Sequence, residues 1–220
     1  MKSKQYAVLG LGVFGSTVAT TLAQYNCEVI AIDIDESCVE RIADEVTKAV
    51  VADTTDIEQL RALGLDDIDV AIIAIGTHLE ESVLTTMNVK DLGVPYVIAK
   101  AKNKQFSKIL EKVGADRVIR AEKDMGIKVA KSLLRKNIVD LVELDKDYSF
   151  VEINAPVEWI GKSVQDLDIR KAFHMNVIGV KDSTDNMTLN IGANYIVKNG
   201  DRFLVIGKTV ELERFDYFIK

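Results

Sequence analysis

Up to Ile119 the chain alternates short apolar runs with longer segments whose apolar residues recur at helical spacing. The runs Gln5–Gly10, Glu28–Asp33, Lys48–Asp53, Val70–Ile75, Val94–Ala99 and Arg117–Ile119 read as strands. Between them, Phe14–Tyr25, Glu36–Glu45, Ile57–Leu63, Leu79–Leu92 and Lys104–Val113 read as helices. Val70–Ile75 is apolar at every position, as a strand buried on both faces requires. Thr55 or Asp56 can cap the third helix, and Gly64 ends it. This repetition predicts an α/β fold with a doubly wound parallel sheet and right-handed crossovers.

The pattern then changes. Lys123 to about Asn137 reads as a long helix with Met125, Val129, Leu133 and Leu134 on one face. Beyond it, Phe150–Ile153, Asn176–Val180, Thr188–Ile191 and Arg202–Ile206 read as strands. Ser163–Phe173 reads as a short helical piece, Asp182–Asn186 as a turn, and Val210–Ile219 as a last helix. The predicted organisation is a nucleotide-type domain over 1–122, a crossover helix over 123–138 and a small α+β C-terminal domain over 139–220.

Composition narrows the classes. The 220 residues are 48% hydrophobic and 28% charged with a net charge of −6, ordinary for a globular chain. The negative balance and the lack of a basic stripe argue against a nucleic-acid partner. Val70–Ile75, the most apolar stretch, is far too short to span a bilayer, and Met1–Gln5 leads straight into a strand without a signal peptide. The expectation is a cytoplasmic protein, peripheral if it serves a membrane process. Cys27 and Cys38 fit no metal or redox spacing and read as free thiols.

The candidate chemistry begins at Gly10-Leu11-Gly12-Val13-Phe14-Gly15, between the first strand and the first helix. That context gives the G-x-G-x-x-G pattern its meaning. Gly10 permits a tight turn, Gly12 lets a diphosphate approach the backbone, and Gly15 lets helix pack on strand. The helix N-terminus offers free N–H groups to phosphate. Asp33 ends the second strand, where a carboxylate holds a ribose hydroxyl pair and disfavours a 2′-phosphate. Together they predict a Rossmann-like adenine-nucleotide site.

Beyond the glycine loop, informative stretches run nearly end to end: Ala7–Gly15, Ile32–Asp35, Val70–Gly76 with Leu84-Thr85-Thr86, Ile109–Asp116, Glu122–Met125, Asp166–Arg170 and Asp201–Gly207. In these stretches the chain resembles the RCK family, regulators of K⁺ conductance, and most of all the stand-alone regulators of Ktr and Trk potassium uptake. The resemblance implies a Rossmann-like domain, a crossover helix and a small C-terminal domain. It implies dimers in an octameric ring beneath a membrane K⁺-translocating subunit of the KtrB or TrkH type. ATP or ADP, or NAD(H), would act as effector without being consumed. The implied nucleotide contacts are Gly10, Gly12, Val13, Phe14, Gly15, Asp33, Ile34, Asp53, Thr54, Ile75, Gly76 and Lys100, with Asp53 and Thr54 framing adenine and Lys100 near phosphates. The Ktr branch usually carries Arg after the second Gly. Val13 stands here, without the guanidinium fork that favours a terminal phosphate. Glu122 matches a carboxylate that can hold a divalent cation, Mg²⁺ or Ca²⁺, near the nucleotide at the dimer interface. Ile169, Arg170, Ala172, Asn176 and Val177 match positions that take cyclic di-AMP in several relatives, although a common Pro is replaced by Ile191.

Plainer readings stand beside these. Asp35 suits a solvated strand end, and His78 and His174 suit solvated loops, with His78 as a candidate catalytic group. Glu122 equally suits a helix N-terminal partner. Trp159 suits a packed core, and Met125 and Leu133 suit core or interface. The alternative function is an NAD(H)-dependent oxidoreductase of unknown substrate. It needs a proton donor and a substrate domain, and the residues beyond 139 are few for one. A transcriptional redox sensor lacks a helix-turn-helix and a basic face.

Overall fold

The computed structural model describes residues 4–76, 78–134 and 138–218. They form two compact units, Met1–Met125 and Gly126–Lys220.

The first unit follows β1 (Gln5–Leu9), α1 (Val13–Gln24), β2 (Glu28–Asp33), α2 (Glu36–Ile42), β3 (Lys48–Val51) and α3 (Ile57–Ala62). It continues through β4 (Val70–Ile73), α4 (Leu79–Asp91), β5 (Tyr96–Lys100), α5 (Lys104–Lys112) and β6 (Arg117–Ile119). All six strands pair in parallel in the order β3-β2-β1-β4-β5-β6. Strand alternation divides the apolar residues between two cores. Ala7, Leu9, Ala71, Ile73, Val97 and Ala99 meet Leu60, Val89 and Leu110 of α3, α4 and α5 on one face. Val8, Val29, Ala31 and Ile72 meet Ala19, Val39 and Ile42 of α1 and α2 on the other. The predicted Rossmann-like, doubly wound sheet is therefore observed.

Caps set the helix starts. Asp35 accepts from the Ser37 N–H to start α2, so it is a cap and not merely a solvated strand end. Asp56 caps α3, and Asn103 accepts from Gln105 and Phe106 N–H to start α5. α1 begins at Gly12 and α4 at His78, and neither residue caps with its side chain.

Helix α6 runs Ala121–Leu134, and the division between units falls inside it. Its expected end near Asn137 lies outside the described residues. The expected helix limit at residue 138 is corrected, because Ile138 opens strand β7 (Ile138–Glu143) and pairs with Ile153. Met125 and Leu133 are 58% and 81% exposed, so neither is a core residue of this chain.

The second unit continues with β8 (Tyr148–Asn154), α7 (Val164–Leu167), α8 (Ile169–Phe173), β9 (Met175–Lys181), β10 (Met187–Leu189), β11 (Arg202–Lys208) and α9 (Thr209–Phe218). The expected last residue of that final helix, Ile219, lies outside the described residues. The sheet order is β10-β9-β11-β8-β7, antiparallel at each pairing. Trp159 is buried, with its ring centroid 5.4 Å from that of Phe203 and 5.6 Å from those of Phe173 and Phe215. The single helical piece expected over Ser163–Phe173 is broken at Asp168, which sits at φ 41°. Buried Glu152 lies 3.0 Å from Lys181 Nζ and 2.8 Å from Arg202 Nη1. Buried Asp201 accepts from the Tyr195 hydroxyl at 2.8 Å and the Lys198 N–H at 2.8 Å.

Candidate functional site

Strand order reverses between β1 and β4, and such a switch point opens a crevice beyond the strands' carboxyl ends. A cavity of about 540 Å³ occupies that end of the first unit. Of the residues implied as nucleotide contacts, Gly10, Gly12, Asp33, Ile34, Asp53, Thr54, Ile75, Gly76 and Lys100 line it. Ala52, Thr55, Ala74, His78 and Glu81 complete the lining and were not anticipated as contacts. Val13, Phe14 and Gly15 are not among the lining residues: Val13 is 85% exposed, Phe14 packs against the core that α1 and α2 share with the sheet, and Gly15 is buried.

The three loop glycines have separate tasks. Gly10 holds φ +94°, a left-handed conformation, and a Cβ there would come within 3.0 Å of Ile75 Cγ1. A Cβ on Gly15 would fall 1.9 Å from the Gly10 carbonyl oxygen, so only Gly lets α1 approach that closely. A Cβ on Gly12 would meet nothing within 4 Å, so the space before it is open to a ligand. The fit to a phosphate-bearing ligand rests on that opening and on the α1 and α4 starts. These two helices, whose N-cap residues Gly12 and His78 line the cavity, have no side-chain hydrogen bond from those caps to their N-terminal N–H groups.

Asp33 stands opposite this loop. Its Oδ2 accepts from the Leu11 N–H at 2.5 Å and its Oδ1 from the Asp35 N–H at 2.9 Å. Both contacts fix the carboxylate at the cavity, where it can accept from ribose hydroxyls. On the far wall, Asp53 Oδ1 accepts from the Thr55 N–H at 2.9 Å and the Thr55 hydroxyl at 2.7 Å. Buried Thr54 shares a 2.9 Å hydrogen bond with buried Thr85 of α4, and Asn88 Nδ2 donates to the Thr55 carbonyl at 2.8 Å. Helix α4 thereby holds the Asp53–Thr55 loop in place. The buried Ser82 hydroxyl donates to the carbonyls of Ile75 and His78, tying the β4 end to the α4 start.

Lys100 ends β5 with its side chain 15% exposed. Its Nζ lies 2.5 Å from Glu122 Oε1 and 5.7 Å from the Phe14 ring centroid. The Lys100 hydrogen bond holds the Glu122 carboxyl below the usual carboxylate range. In this chain the Glu122 oxygen implied as a cation ligand is engaged by the Lys100 ammonium, and among the described residues no group of three His, Cys, Asp or Glu could hold a metal ion. At the α4 start, His78 Nδ1 lies 3.3 Å from Glu81 Oε2.

In the second unit a cavity of about 470 Å³ is lined by Tyr148, His174, Asn176, Ile206, Gly207, Lys208 and Glu211. Asn176 is the one predicted second-messenger contact in that lining. Arg170 and Ala172 are exposed, and Val177 is half-buried against the core. Ile169 is 2% exposed inside the core, so its side chain is a packing residue and offers no surface to a ligand.

The TrkA-N domain model matches residues 6–121 and the TrkA-C domain model residues 149–219. The chain is 37% identical over 216 residues to Ktr system potassium uptake protein A of Bacillus subtilis, covering 98% of this chain and 97% of that one. Among solved structures, the GsuK RCK domain superposes with a TM-score of 0.65 at 16% identity, covering 100% of this chain and 48% of that one. The GsuK channel bound to NAD gives a TM-score of 0.65 at 15% identity, covering 100% and 40%. The chain spans less than half of each GsuK chain, and at these identities the likeness is one of fold. The two domain models and the Ktr relative show that the chain belongs to the TrkA-N/TrkA-C family of RCK-fold proteins that includes Ktr system potassium uptake protein A.

Proposed function

We propose that this chain is the nucleotide-binding regulatory component of a Ktr-type potassium uptake system. The reading rests on one observation: the cavity at the β1/β4 switch point, with open space before Gly12 and the Asp33 carboxylate fixed at its wall. An adenine nucleotide fits that donor set. Asp33 takes the ribose hydroxyls, the α1 start takes phosphate, and the Asp53–Thr55 loop borders the base. ATP, ADP and NAD(H) share these features, and a structure of the similarly folded GsuK channel is described as bound to NAD.

The 37% identity to a Ktr potassium uptake protein supports a membrane K⁺-translocating subunit as partner. Among the described residues no helix is long and apolar enough to cross a membrane, so ion passage falls to that partner. Self-association into dimers and an octameric ring, a cytoplasmic location and cyclic di-AMP binding near Asn176 belong to the same proposal. A divalent cation would reach Glu122 only in competition with Lys100. The nucleotide acts by binding one conformation better than another. A tenfold difference in affinity supplies about 1.4 kcal/mol per site. In this role the chain is not an enzyme.

The test is a melting-temperature panel with ATP, ADP, NAD⁺, NADH and adenosine. A ligand that binds only the folded chain raises stability by about 2.7 kcal/mol at a hundredfold excess over its dissociation constant. Upward shifts with at least one adenine nucleotide are expected, and silence from all of them removes the proposal.

A further inference from the structure

Among the described residues lining the first unit's cavity, Lys100 alone is Lys or Arg, whereas Asp33, Asp53 and Glu81 are carboxylates. A phosphate entering this cavity has one ammonium to meet, and Glu122 already holds it at 2.5 Å. Glu122 does not line the cavity, and its side chain is 68% exposed. Resting on the nucleotide reading above, we infer that Lys100 is a phosphate-sensing residue that exchanges partners: nucleotide phosphate takes its ammonium, and Glu122 is released.

The geometry suits an exchange. Lys100 is pinned along its length, with its Cε and Nζ each 3.1 Å from where a Gly76 Cβ would stand and its Nζ facing the Phe14 ring. Its ammonium therefore changes partner without leaving the cavity wall. Charge-assisted bonds to phosphate and to carboxylate are comparable in strength, so a doubly charged phosphate can win. The freed carboxylate is not stranded. Glu122 sits in the first turn of α6, where the helix N-terminus stabilises negative charge, and most of its side chain is already in water. Val13 supplies no cation from α1 that could take over from Lys100. The exchange also has an address. Glu122 belongs to α6, the helix in which the chain passes from the first unit into the second. Phosphate at the β5 end thus changes the contacts of the first turn of that helix.

The test is calorimetric titration of the full chain with ADP and with adenosine, with Mg²⁺ absent and present, using Glu122→Gln, Lys100→Met and the double variant. Removing the competitor in Glu122→Gln tightens ADP about three- to tenfold, the range of a partly screened charge pair. Adenosine, without phosphate, gains less. Lys100→Met weakens ADP about tenfold or more. In the double variant the gain from Glu122→Gln disappears, since the two residues are coupled. Unchanged or weaker ADP binding in Glu122→Gln overturns the exchange, and weakening confined to Mg²⁺ identifies Glu122 as a cation ligand instead. A persistent gain in the double variant also overturns it. If wild-type chain binds no nucleotide, the underlying nucleotide reading fails, which is a separate result from binding that ignores Glu122.

Discussion

A single methyl group added at Gly15 or at Gly12 separates folding from binding. The Gly15 Cβ would lie 1.9 Å from the Gly10 carbonyl oxygen. Ordinary van der Waals contact begins at 3.4 Å, so the two must part by about 1.5 Å. Neither side yields easily. The Gly10 N–H donates to the Ile32 carbonyl at 2.8 Å and its φ is +94°, while a Gly15 Cβ would also stand 3.0 Å from Ala74 Cβ. Overpacking of this kind costs about 3 kcal/mol. In a chain of this size that lowers the first unit's melting temperature by about 6–12 °C. At Gly12 the added methyl meets nothing within 4 Å, and the backbone sits at φ −61°, which Ala adopts freely. Gly12→Ala therefore changes stability by about 1 kcal/mol or less. It does, however, fill the space through which a diphosphate approaches, and ADP or NAD⁺ affinity falls about tenfold or more. Scanning calorimetry and titration on the two variants read both quantities. Wild-type melting in Gly15→Ala, or wild-type affinity in Gly12→Ala, refutes the division of labour.

Burial, reinforced by the hydrogen bond to Asp201, pushes the Tyr195 hydroxyl from 10.0 up to about 12. The folded state then keeps a proton that the unfolded state has released. Its stabilising effect is whole below about pH 10 and is lost as pH rises toward 12. Tyr195→Phe flattens this alkaline decline in urea unfolding, and an unchanged slope contradicts the assignment. Glu152→Gln leaves Lys181 and Arg202 without their shared carboxylate and lowers stability by about 1–3 kcal/mol. An unchanged urea midpoint says instead that solvent screens both pairs.

The first unit was legible because its signals are local. Each parallel strand is an apolar run, and the glycine pattern lies between a strand and a helix, where its meaning is fixed. Strand β7 was not legible. Ile138–Glu143 continues an apolar spacing that extends α6, and only pairing with β8 makes it a strand. The break at Asp168 was hidden for a similar reason, since nothing local distinguishes its left-handed backbone from a helical one. At the site, Lys100 and Glu122 each stood out singly. Their contact did not, because it depends on β5 and α6 meeting in space. Glu81 carries a usable signal in the sequence. It lies three residues past His78 at a helix start beyond the central strand's carboxyl end, where ligands collect. The burial of Ile169 was not legible either, because resemblance carries residue positions over without saying which way a side chain turns.

K⁺ flux reads out whether nucleotide in the β1/β4 cavity controls a potassium pathway. Vesicles containing the membrane K⁺-translocating partner are combined with the wild-type chain or Asp33→Ala, and uptake is followed against the concentration of each nucleotide that binds. Uptake is expected to respond to nucleotide with the wild-type chain. With Asp33→Ala, which remains folded and associated, the response shifts to at least about tenfold higher concentration. An identical nucleotide dependence with Asp33→Ala, or uptake indifferent to every nucleotide the chain binds, contradicts the account.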